Sequence, residues 1–162
     1  MQEPFVNKET HYQVHDSPKA AVLQVLKKAS YTNCEPVRNF FDKKFNEGQR
    51  AFIVDFANCT SVDSTFLGIL VRLALNLRNS ADSGKLVLLN LTGRNLETVK
   101  NLGIHRIAEI SSSSIENLND LEVLSKNGKS ESACSDTIYE AHKTLMNLCL
   151  LYTSDAADDV HR

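Results

Sequence analysis

Glycine is scarce in this chain. Its 162 residues include six, and they form neither G-x-G-x-x-G nor G-x-x-x-x-G-K-[ST]. The sequence therefore offers no backbone cradle for a nucleotide phosphate, and no cofactor is expected. The four cysteines, Cys34, Cys59, Cys134 and Cys149, make no C-x-x-C pair, so reduced thiols in a cytoplasmic protein are expected. His11, His15, His105, His142 and His161 are scattered, and no His/Cys spacing suggests a metal. A basic excess is missing as well. The net charge is −2, and nothing points to nucleic acid or to an anionic membrane. No apolar run approaches the roughly 20 residues that span a bilayer, and MQEPFVNKETHYQVHD has none of the layout of a signal peptide. There is no G-x-S-x-G elbow. With no base, metal or phosphate loop in view, no catalytic residue is assigned and the chain is not read as an enzyme.

What is present is enough apolar material for one core. Hydrophobic residues make up 42% of the chain, which fits a single domain with a small extension. Residues 1–19 are polar with a strand-like piece at Tyr12-Gln13-Val14. AAVLQVLKKA (20–29) reads as a strand edged by lysines. A helix is expected to start near Asn33 or Cys34, with Pro36 in its first turn and Val37, Phe40, Phe41 and Phe45 at helical spacing, and to stop at Gly48. RAFIVDF (50–56) and KLVLLNL (85–91) are apolar runs of strand character. TGRNLETVKNLG (92–103) reads as a helix ended by Gly103, with Leu96, Val99 and Leu102 inward. IHRIAEI follows as a short strand, and a helix is expected around Ile115–Leu124. Strands alternating with helices across short connections predict an α/β sheet over residues 20–124.

Beyond it, SKNGKSESACSD (125–136) reads as a linker. Residues 137–148 read as a helix capped by Asp136 or Thr137, with Ile138, Leu145 and Leu148 as its apolar set and no C-terminal stop. Residues 149–162 are expected to be a non-native tail that cuts this helix short. CLLYTSDAAD matches one reading frame of a widely used transposon-based sequencing adapter.

The segment between the two central strands poses a sharper question. DFANCTSVDSTFLGILVRLALNLRNS (55–80) runs from a strand end through a polar loop into Asp63-Ser64-Thr65 and an apolar helix. At about 100° per residue, Phe66, Ile69, Leu70, Leu73, Ala74 and Leu77 fall on one core-facing stripe. Ser64, Gly68, Val71 and Leu75 form a second row nearly opposite, with Leu67 between the two. Gly68 costs about 1 kcal/mol in a helix interior relative to alanine, so a close neighbour is expected there. An outward apolar row beside a hydroxyl suggests docking, unless the C-terminal helix covers Val71 and Leu75. Asp63 or Ser64 is also a natural N-cap, and a capping hydroxyl still lies near solvent.

FIVDFANCTSVDSTFLGILVRLALNL, followed by KLVLLNLTGRNLETVKNLGIHRI, resembles the STAS domain of bacterial anti-sigma factor antagonists. The shared parts are an apolar strand ending in Asp, a short loop, Asp-Ser-[Ser/Thr]-x-Leu-Gly opening a helix, a further strand, and a helix closed by Leu-Gly-Ile. The resemblance implies an α/β fold: a small mixed β-sheet with helices packed on one face. It implies a switch rather than a catalyst. The family's phosphoacceptor is the serine after that Asp, here Ser64. An anti-sigma factor serine kinase would be the partner, binding through Asp63, Thr65, Leu67, Gly68, Val71 and Leu75. Phosphorylation would release the kinase, and a phosphatase would reset the serine. The domain is expected to be a monomer or weak dimer. The family usually has glycine where Phe66 stands. Many relatives also carry Gly and an acidic residue before the first long helix, where this chain has Lys28 and Ser30-Tyr31. A non-phosphorylated STAS scaffold, in a sensory or lipid-transport assembly, is the alternative.

Overall fold

A computed structural model describes residues 10–112, 122–123 and 132–160, with side chains for 10–112 and 132–148. Its strands are β1 (Tyr12–Asp16), β2 (Ala21–Val25), β3 (Lys28–Ala29), β4 (Ala51–Asp55), β5 (Ser61–Val62), β6 (Lys85–Leu89), β7 (Glu109–Ser111) and β8 (Glu122–Val123). The helices are α1 (Glu35–Asn46), α2 (Ser64–Asn79), α3 (Gly93–Asn101) and α4 (Ser135–Val160), with a 3-10 turn at Ile104–Arg106.

Six strands form one mixed sheet in the order β7-β6-β4-β2-β1-β8. β2, β4, β6 and β7 run parallel, and β1 is antiparallel to both its neighbours. Alternation along the central strands identifies the core face. Phe52, Val54, Leu86 and Leu88 are buried, while Ile53 and Val87 between them are half-buried. Side chains of a strand point alternately to opposite faces, so one face carries the helices, as the fold class predicts. Phe66 of α2 is fully buried there. It stacks on Tyr12 with ring centroids 6.3 Å apart and meets Phe56 edge-on at the same distance.

Several sequence boundaries move. The sheet begins before residue 20, because β1 pairs along its whole length with β2. The strand read over 20–29 breaks at Leu26-Lys27, and β3 leaves to pair with β5 in a separate two-stranded ribbon. IHRIAEI is strand only at its end, since Gly103 (φ +81°) leads into the 3-10 turn instead. The helix expected over Ile115–Leu124 does not include Glu122 and Val123, which pair with Val14 and Gln13 of β1. The rest of that stretch lies outside the described residues. α4 starts at Ser135, inside the expected linker, and its backbone stays helical past Leu148 to Val160. No proline or glycine interrupts 135–160, which is the physical reason the helix does not stop at the expected boundary.

Candidate functional site

α2 begins where β5 ends, and Asp63 fixes the join. Its backbone is extended, and its carboxylate Oδ1 accepts the Phe66 N–H at 2.9 Å. This is an N-cap satisfying one of the free donors of the first turn. The other oxygen, Oδ2, accepts the Tyr31 N–H at 2.8 Å. One side chain therefore caps α2 and ties it to the loop between β3 and α1. That loop is held from below: Asn33 donates through Nδ2 to the Lys28 carbonyl at 2.7 Å and accepts the Tyr12 hydroxyl. Tyr31 is left 52% exposed beside the α2 terminus.

Ser64 follows the cap as the first helical residue and is exposed. Its Oγ lies 2.9 Å from Nε2 of His142, which α4 brings in. No sequence pattern links this pair, because the two residues are 78 positions apart. A serine beside an imidazole is a nucleophile–base arrangement in hydrolases, which also need free donors for an oxyanion. Here the Phe66 N–H is engaged by Asp63, and α4 lies along α2 one turn further on.

The remaining candidate residues behave differently from expectation. Thr65, Leu67, Gly68 and Val71 are buried, and Leu75 is half-buried. They do not form an exposed docking row. A β-carbon placed on Gly68 would stand 2.6 Å from the Ala141 α-carbon, so α4 occupies the close neighbour position that the glycine foretold. Thr137, Ala141, Leu145 and Leu148 are the buried residues of α4 over its described side chains, with Ile138 packed partly against the core. α2 is therefore apolar on two sides because it is covered on two sides. Of the expected partner residues, Asp63 and Leu75 keep partial exposure, and Asp63 lies next to exposed Ser64 and Tyr31.

The thiols near the site are free. Cys34 precedes α1, and burial pushes its thiol up to about 12, with the Asp63 and Glu35 carboxylates adding to the rise. Cys134 precedes α4. The Thr137 hydroxyl, and behind it the backbone N–H groups of the helix start, hold its thiol below its ordinary value. Among the described residues no three His, Cys, Asp or Glu side chains converge on a metal position, and no helix is long and apolar enough to cross a membrane.

Solved structures of the same fold include anti-sigma factor antagonists. SpoIIAA in its unphosphorylated form is 17% identical, matching 65% of this chain and 90% of that chain with a TM-score of 0.53. The Bacillus cell fate determinant SpoIIAA in the phosphorylated form is also 17% identical, matching 65% of this chain and 93% of that one at 0.55. An anti-sigma factor antagonist from Mycobacterium paratuberculosis is 14% identical, matching 67% and 87% at 0.54. At these identities the likeness is one of fold. No curated protein matches the chain in sequence. The STAS domain family model matches residues 11–117, which spans the sheet from β1 through β7 together with Asp63, Ser64 and α2, and on that match the chain belongs to the STAS domain family.

Proposed function

We propose that this protein is an anti-sigma factor antagonist, switched by phosphorylation of Ser64 and acting on transcription through an anti-sigma factor serine kinase. The carrying observation is the position of Ser64. It is exposed, it opens α2, and it follows a capping Asp63 that fixes it against the loop bearing Tyr31. A solved structure of the same fold exists in phosphorylated and unphosphorylated forms, which supports the reading. In this scheme the protein is a substrate. The kinase transfers a phosphoryl group to Oγ, a phosphatase removes it, and the unmodified form binds the kinase. The protein acts in the cytoplasm as a monomer or weak dimer. Phosphopeptide mass spectrometry of the protein isolated from its own cells tests this. Modified Ser64 is the expected result, and an unmodified Ser64 under every growth condition would sink the reading.

One observation favours a second reading. The α2 row that would receive the kinase is already covered by α4. A STAS subunit held permanently in that state would act as a scaffold in a sensory or lipid-transport assembly, with no phosphorylation cycle.

A further inference from the structure

α4 begins at Ser135, beyond the STAS match that ends at residue 117. The helix is thus an addition to the family domain, and it lies on the helix that carries Ser64. Its root is tied to the loop before α1, where the Ala133 N–H donates to the Tyr31 carbonyl at 2.6 Å and the Ser132 hydroxyl to the Thr32 carbonyl at 3.2 Å. Its body packs through a thin stripe. Among the described side chains, Thr137 and Ala141 offer little apolar area, and Leu145 and Leu148, with half-buried Ile138, supply the rest. The stripe by which α2 faces the sheet carries Phe66, Ile69, Leu70, Leu73 and Leu77, all buried. Regions with less buried apolar area open at lower free energy than the core. α4 can therefore lift away at lower free energy than α2 can leave the sheet, and the sheet stays folded.

Its removal has a chemical consequence. In phosphoryl transfer, Ser64 Oγ attacks the γ-phosphorus of ATP. An O–P bond forms as the bond to ADP breaks, and the hydroxyl proton passes to a base of the kinase. The reacting atoms must approach in line to about 3–3.5 Å. The His142 imidazole now stands 2.9 Å from that oxygen and takes up one of its open sides.

We infer that α4 is an intramolecular gate on α2, and that Ser64 can be phosphorylated, and the Gly68–Val71–Leu75 row occupied by a partner, only after α4 has swung off. The gating of phosphorylation rests on the reading of Ser64 as phosphoacceptor. The displaceable cover does not.

Two measurements on the full-length chain test this separately. Peptide-resolved hydrogen exchange is compared for wild type and Ala141→Leu, whose larger side chain has no space against Gly68. In wild type the α4 amides of residues 135–148 should exchange at least tenfold faster than those of β4 and β6. Ala141→Leu should speed α4 further and leave β4 and β6 unchanged. Exchange of α4 and the sheet at one common rate in both proteins would overturn the gate. Both proteins are then incubated with magnesium ATP and an anti-sigma serine kinase from the same genome. Ala141→Leu should gain phosphate on Ser64 at least tenfold faster than wild type. Equal rates, with α4 opening observed, would overturn the gate. No phosphate on either, with α4 opening observed, would instead remove the phosphoacceptor reading and leave α4 as a displaceable cover.

Discussion

Gly68 and Ala141 meet main chain to main chain: a β-carbon on the first would stand 2.6 Å from the α-carbon of the second. Backbone cannot rotate aside as the end of a side chain can. Gly68→Ala should therefore destabilise the protein even though alanine is the better helix former by about 1 kcal/mol. Overpacking of this kind costs about 1–3 kcal/mol. Part of the helical circular dichroism signal should be lost at urea concentrations where the sheet persists, as α4 detaches first. A raised midpoint with a single intact transition would mean that the two helices do not touch.

Leu70 and Val71 are neighbours in sequence and point about 100° apart around α2, yet both are fully buried, at 0% exposure. Leu70→Ala should lower global stability by about 2–5 kcal/mol in urea, as for a buried leucine truncation. A loss below about 1 kcal/mol would show that α2 is set in another phase. Val71→Glu places an unpaired charge where α4 covers α2, which costs several kcal/mol if α4 stays, on the order of 3–5. The expected result is release of α4 with the sheet intact, seen as faster exchange of α4 amides and unchanged exchange of β4. Unaltered protection of α4 would put Val71 in open solvent.

The core phase of α2 is readable because six residues repeat at helical spacing over about three turns, and the structure buries all six. The second apolar row signalled that something covers it, and Gly68 signalled that the cover comes close. Neither could name α4, since periodicity reports which side of a helix is dry and not what lies against it. For the same reason no periodicity marks the pairing of Ser64 with His142. β5 is not legible in the sequence because two residues carry no period, and Ser61–Val62 is strand only through its partner Lys28–Ala29. β1 extends further than its pattern implies. Tyr12 and Val14 alternate with Gln13 as a strand should, but five residues after a polar start gave no sign that they join the main sheet.

The three described thiols should separate by reactivity. Cys34 is pushed up to about 12 and Cys59 to about 11, in both cases chiefly by burial, whereas Cys134 is exposed and lowered. Iodoacetamide at pH 8, followed by peptide mapping, should modify Cys134 well before the other two. The same shift links folding to pH. In the unfolded chain Cys34 ionises near its ordinary value of 9.0, while the folded protein holds the proton to about 12. The folded state thus binds more protons in that window, and stability falls as pH rises through it. Cys34→Ala should flatten the decline above pH 9, and an unchanged slope would place the cause elsewhere.

The segment 149–162 is proposed to be foreign to the protein, although the α4 backbone runs helical to Val160. Native DNA of this locus should not encode CLLYTSDAAD after Leu148. Recovery of those codons from it would make the tail the protein's own.

Ser64 carries the remaining prediction. Phosphorylation adds about −1.5 to −2 charges at neutral pH. At the start of α2, the helix dipole favours a negative group by about 0.3–1 kcal/mol, and the adjacent Asp63 carboxylate opposes it by a comparable amount. Ser64 is exposed, so its contact with His142 adds little to stability. Ser64→Ala and Ser64→Asp should therefore both melt close to wild type. The difference should appear in the complex. On a docked face the charge must be desolvated, and a buried charge without a partner costs several kcal/mol, while a tenfold loss of affinity requires about 1.4 kcal/mol. Ser64→Asp should bind the anti-sigma kinase at least tenfold more weakly than wild type, and Ser64→Ala should bind persistently and fail to dissociate on addition of ATP. Calorimetric titration of the three proteins reads this directly. Equal affinities for Ser64→Asp and wild type would reduce Ser64 to a plain first-turn residue and shift the weight to the scaffold reading.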